Sequence, residues 1–176
     1  MSEELTKLIA ESGFPIIGHF DPALLEVRQE VRDMCAADKC HAFGKSWSCP
    51  PACGSIEKYQ VLFQRYHTGY LFQTVAEMED AFDYEGIEKG GEEHKHCFND
   101  LAGRIAETGR DILLLGAGTC TLCETCTYPD APCRFPEKAF TSMEASGLVV
   151  YDVCKLADVP YYHGKNTIAF CGCVLE

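Results

Sequence analysis

Residues 111–136 read DILLLGAGTCTLCETCTYPDAPCRFP, and the organisation of the chain can be worked outward from them. Asp111 to Leu115 is a short aliphatic run closed by Gly116-Ala117-Gly118, the pattern of a buried strand. A loop bearing Cys120, Cys123, Cys126 and Cys133 follows directly. Further on, Leu148 to Val150 and Asn166 to Leu175 read as strands, the second rich in β-branched and aromatic residues. Pro136 predicts a short helix that stops at Gly147, a residue suited to the position after a helix end. Upstream, Glu77 to Gly109 has a helical pattern interrupted by Gly86 and by Gly90-Gly91, with Cys97, Leu101 and Ile105 along one side. Tyr59 to Val75 supplies a strand or begins as a helix, because its periodicity is mixed. Asp21-Pro22 predicts an N-cap and first turn for a helix over Leu24 to Met34. Before it lie a strand within Phe14 to Phe20 and a helix over Met1 to Ser12, with Leu5, Leu8 and Ile9 at helical spacing. Strands and helices are mixed, so the expected class is α+β (or α/β). We expect a single compact domain over residues 1–176, a mixed sheet with flanking helices and two Cys-rich loops.

Composition narrows the possibilities. With 47% hydrophobic residues, including 8 Tyr and 10 Phe, the chain can bury enough apolar surface to offset the entropy of ordering, which argues against disorder. No run approaches the roughly 18 apolar residues of a membrane span. The charged, amphipathic start MSEELTKLIAE has no apolar signal core, so a cytoplasmic location is expected. The formal net charge of −12 repels phosphate backbones and anionic headgroups, making nucleic acid and membrane surfaces poor partners.

The unusual feature is 12 Cys in 176 residues. Disulfide scaffolds belong to oxidising compartments and to short, core-poor chains; in a reducing cytoplasm this density points to metal. Cys120-x2-Cys123-x2-Cys126-x6-Cys133 is the strongest signal. Three thiolates at three-residue steps let a loop curl around a compact body, each meeting a different corner of an iron–sulfur cube. Backbone N–H groups between them can face its sulfurs. Zinc more often takes two well-separated C-x2-C knuckles. A second set, Cys35-x4-Cys40-x8-Cys49-Pro50-Pro51-Ala52-Cys53, presents its last two thiols on a proline-stiffened turn. Met34, Phe43 and Trp47 nearby either exclude water from a site or belong to the core. His41 could replace a thiolate, but a solvent-facing or hydrogen-bonded role is expected. Cys97, Cys154, Cys171 and Cys173 remain; they add up to a third tetrathiolate, or serve as small buried hydrophobes, the reading we prefer. Cys171 and Cys173 share one strand face. His94 and Cys97 are helical neighbours that we place on a solvated face. No dinucleotide, P-loop, zincin or nucleophile-elbow motif is present, nor the C-x3-C-x2-C of radical S-adenosylmethionine chemistry.

Three stretches carry a resemblance to a known family: C-x4-C…GKSWSCPPACG from Cys35 to Gly54, GAGTCTLCETCTYPDAPCRFP from Gly116 to Pro136, and SMEASG from Ser142 to Gly147. In that order they resemble the DUF2284 family of predicted metal-binding proteins. The resemblance implies metal or iron–sulfur binding through the eight cysteines of the first two stretches, and no role for Cys154, Cys171 or Cys173. The expected cofactors are two [4Fe–4S] clusters, zinc being the alternative. The expected function is electron transfer with a redox protein partner. The alternatives are a zinc-stabilised adaptor module and a cluster-dependent enzyme with an open iron near Cys171 and Cys173.

Overall fold

The computed structural model describes residues 3–176. In chain order the elements are α1 (Glu3–Glu11), β1 (Ile16–Phe20), α2 (Gln29–Ala36), α3 (Ile56–Phe63), β2 (Gly69–Glu77), α4 (Tyr84–Thr108), β3 (Leu113–Gly116), β4 (Thr141–Ser142), α5 (Val150–Leu156) and β5 (Thr167–Leu175). The strands form one mixed sheet in the order β1-β2-β5-β3-β4. β2 and β5 pair antiparallel over their full lengths, Gly69 opposite Leu175 and Glu77 opposite Thr167; only β3 and β4 run parallel. The fold is α+β.

Successive strand residues face opposite sides, and here both sides are covered. Cys171, Cys173 and Leu175 of β5 join Leu71 and Leu115 in a core closed by Tyr59 and Phe63 of α3 and Val153 of α5. On the other side, Val174, Tyr70 and Phe72 pack with Leu5 and Ile9 of α1 and with Phe98, Leu101 and Ile105 of α4. This double burial explains why β2 and β5 read as almost unbroken apolar runs.

The long helix α4 continues through its glycines. Asp83 caps its start, Oδ1 accepting from the Gly86 N–H at 2.8 Å, and Gly109 ends it at φ 64°. Gly90 lies against the sheet, where an added Cβ would come within 2.5 Å of Ala76 Cβ and 3.1 Å of Phe170. The glycine thus permits a close helix–sheet approach and does not interrupt the helix. His94 corrects the expectation of a solvated face: it is 1% exposed, ringed by Phe14, Phe72 and Phe170.

Two other segments differ from expectation. Asp21 does cap, Oδ1 accepting from the Ala23 N–H at 2.9 Å, but only for a 3-10 turn over Pro22–Leu24. The chain then stays extended because Val27 bridges Leu148 and the Arg28 N–H donates to Gly147 O at 2.8 Å. Residues 136–147 form no helix. Ala139 N–H closes one turn onto Phe135 O at 2.8 Å. Thr141 and Ser142 are then drawn onto the sheet edge as β4, and Gly147 turns the chain at φ 92°. Leu148 forms that isolated bridge only, and Val150 already begins α5.

Candidate metal centre

The two Cys-rich segments lie side by side at the end of the sheet where β3 and β4 stop. Cys120, Cys123, Cys126 and Cys133 all line one cavity of about 170 Å³. Their loop has no regular structure and is shaped by local bonds: Ala131 N–H to Thr127 O at 3.0 Å, Thr127 Oγ1 to Pro132 O at 2.8 Å, and Arg134 Nη1 to Thr125 O at 2.9 Å. Burial pushes the Cys120 thiol up from its ordinary value, opposed by the backbone N–H groups of Leu122 and Phe140. Cys126 shows the opposite balance. Burial raises it, but the N–H groups of Tyr128, Trp47 and Thr127 and the Ser46 hydroxyl stabilise the thiolate and hold it below its ordinary value.

The first segment is assembled from more distant pieces. Cys35 sits in the last turn of α2, while Cys40 lies on an exposed turn where Asp38 and His41 are left-handed, at φ 51° and 57°. Cys35, Cys40 and Cys49 line a second cavity of about 240 Å³, walled by Val31, Phe43 and Pro50. Cys53 follows Cys49 by one turn, its N–H donating to Cys49 O at 3.0 Å, and is buried beside Tyr59 on the wall of a neighbouring cavity. The structure therefore brings three of the four first-segment thiols onto one wall and leaves the fourth one turn further along the chain from Cys49.

Arg32 organises this region, three residues before Cys35 on the same helix. Its Nε donates to Ala145 O at 2.6 Å, both terminal nitrogens to Gly54 O at 2.8 Å, and Nη2 to Cys53 Sγ at 3.3 Å. Burial pushes the Cys53 and Cys35 thiols up, and the guanidinium opposes this at both. Burial likewise pushes Tyr59 up to about 12.

The two cavities meet at Thr119, which lines both. Thr119 Oγ1 lies 3.3 Å from Cys49 Sγ, the Cys120 N–H donates to Ser48 Oγ at 3.4 Å, and Ser46 and Ser48 share a hydrogen bond of 2.9 Å. Trp47 clasps the second loop, Nε1 donating to Ala131 O at 3.0 Å with its ring edge-on to Tyr128 at 4.9 Å. Although the chain carries a net −12, Lys39, Lys45, Lys58 and Arg134 all line these cavities. His41 is exposed and faces the second segment's cavity, apart from the thiols it was weighed against.

No three His, Cys, Asp or Glu side chains among the described residues converge closely enough to hold a single ion. The remaining cysteines do not form one tetrad. Cys97 packs on the α1–α4 side of the sheet, whereas Cys154, Cys171 and Cys173 share the opposite core. Sequence reasoning missed Arg32, Ser46, Ser48 and Thr119. Only the position of Arg32 one helical turn before Cys35 offered a signal.

The family described as a predicted metal-binding protein (DUF2284) matches residues 19–175. No curated protein matches the chain, and no solved structure does.

Proposed function

The chain belongs to the DUF2284 family of predicted metal-binding proteins, and on that premise we propose that it is a cytoplasmic electron-transfer protein holding two [4Fe–4S] clusters. Cys120, Cys123, Cys126 and Cys133 would hold one; Cys35, Cys40, Cys49 and Cys53 the other. The observation that carries the reading is that Cys120, Cys123, Cys126 and Cys133 all line one cavity of about 170 Å³. A lone zinc ion with Zn–S of about 2.3 Å draws its sulfurs to about 3.8 Å from one another; a cube holds them farther apart. The donor set fits, because soft thiolates select iron–sulfur clusters and zinc. When bound, each cluster would accept and release one electron at a time.

The protein's own groups supply the rest. N–H and O–H donors at Cys126 and Cys120 disperse negative charge on sulfur, which raises a potential that the surrounding acidic chain would lower. Arg32 does the same at Cys53. Ligation by cysteine at every corner leaves no open iron, which suits a carrier and not a Lewis acid. Lys39, Lys45, Lys58 and Arg134 line the cavities together with Glu124 and Glu144, and these charges would orient a redox protein partner.

Anaerobic purification tests the reading. A brown protein with acid-labile sulfide and an EPR signal after dithionite is expected. A colourless protein with stoichiometric zinc would replace the proposal with a zinc-stabilised adaptor. Cys123→Ala or Cys126→Ala should lose about half the iron, as one of two equal clusters. The double variant Cys171→Ser/Cys173→Ser should retain all of it.

A further inference from the structure

We propose that Cys154 and Cys171 form a redox-active dithiol, a two-electron site separate from the eight loop cysteines. Their Sγ atoms lie 3.8 Å apart, in van der Waals contact, where a disulfide requires about 2.05 Å. One thiol comes from α5 and the other from β5, so a modest approach of helix and sheet closes the bond. Cys173, two residues along the same strand face, is no rival partner for Cys171: successive same-face positions are about 6.7 Å apart, beyond the Cβ separation of roughly 3.5–4.5 Å that a disulfide allows.

The surroundings are specialised for sulfur chemistry. Gln73 is fully buried, yet its amide is directed at the pair. Nε2 donates to Cys171 Sγ at 3.2 Å and to Pro160 O at 3.1 Å, while Oε1 accepts from His163 Nε2 at 2.6 Å. A buried carboxamide is costly in an apolar core unless satisfied, and here one of its partners is a thiol. Either sulfur can donate to the other; the contact with Cys154 holds Cys171 below its ordinary value against the cost of burial, with the Gln73 amide as a further donor. Glu144, which lines the first segment's cavity, opposes ionisation at both Cys35 and Cys171.

Oxidation breaks two S–H bonds and forms one S–S bond. Two protons pass to solvent, and two electrons pass singly to a one-electron acceptor. Cys154 and Cys171 are 1% and 4% exposed, so direct attack by a soluble thiol is disfavoured, and an electron carrier is the matching reactant class. The proposal does not depend on what the loop thiols hold.

The test is an anaerobic redox titration of the whole protein with dye mediators. Samples are quenched by alkylation in denaturant, and cross-linked peptides are read by mass spectrometry. The expected product links Cys154 to Cys171, its ratio to the dithiol changing tenfold per about 30 mV, the slope of a two-electron couple. Cys154→Ser and Cys154→Ala should abolish the link and leave bound iron and zinc unchanged. Free thiols at every potential in the unaltered protein would overturn the proposal. So would a link from Cys171 to any other cysteine, or loss of metal in the Cys154 variants. A metal-free protein that still shows the two-electron link would sink the cluster reading and leave the dithiol standing.

Discussion

The sheet with its helices and the pair of cysteine loops are stabilised by different physics. In the sheet, Phe72, Tyr70, Leu71 and Val174 are fully buried, and β2 and β5 pair along nine residues. In the loops, Cys49 and Cys53 are buried, but Cys35, Cys120, Cys123, Cys126 and Cys133 are only half-buried and Cys40 is exposed. Isolated hydrogen bonds from Trp47, Arg32 and Thr119 join the pieces. From this contrast we expect the apolar core to hold the sheet without help and the loops to lean on whatever their thiols bind. In metal-dependent segments, binding energy is folding energy.

The largest expected effect is from metal removal. After anaerobic chelation, limited proteolysis should cut residues 35–54 and 118–136 while β2, α4 and β5 stay protected, and emission from Trp47, the only tryptophan, should shift to the red. Sheet and loops unfolding together would erase the distinction. Next, Phe72→Ala should destabilise the fold by about 3–5 kcal/mol in denaturant titrations, with metal content per folded molecule unchanged.

His94 gives a third, pH-dependent separation. Burial, with a smaller contribution from Lys95, holds its imidazole down at about 4. Nδ1 pairs with Thr74 Oγ1 at 2.8 Å, and Nε2 has no partner. The folded state keeps this ring neutral, while the unfolded chain takes up a proton near pH 6.5. Stability is therefore complete above about pH 6.5 and falls by about 3 kcal/mol as pH drops toward 4. His94→Leu should flatten that dependence in urea titrations across the same range; an unaltered slope would mean the imidazole is not its source. The smallest effect belongs to Trp47→Phe. Losing the bond to Ala131 O should cost about 1 kcal/mol, read as faster metal release to a chelator at unchanged thermal stability of the sheet.

The grouping of the loop cysteines was legible in the sequence. The three-residue steps of Cys120, Cys123 and Cys126 keep those thiols in one short loop, and all three line the same cavity. The aliphatic runs of β3 and β5 were legible for a similar reason, since apolar content and turn signals are local. Other features were not. The helix expected after Pro136 lost to edge pairing of Thr141 and Ser142 with β3. Gly90 and Gly91 of α4 looked like a break because their contacts, Ala76 and Phe170, lie on β2 and β5. His94 looked solvated because its three aromatic neighbours come from before β1, from β2 and from β5.

The primary structure thus specified the chemistry: twelve thiols, eight of them grouped in two loops, the strands beside them and an excess of acidic residues. Folding alone decided the company each thiol keeps. It set Cys53 against Arg32 on a wall apart from Cys35, Cys40 and Cys49, sent Cys97 to the opposite side of the sheet, and pressed Cys154 against Cys171. Spacing constrains atoms only a few residues apart. Contacts between Arg32 and Ala145, or Cys49 and Thr119, span long stretches of chain, and they exist only once burial of the core has brought those stretches together.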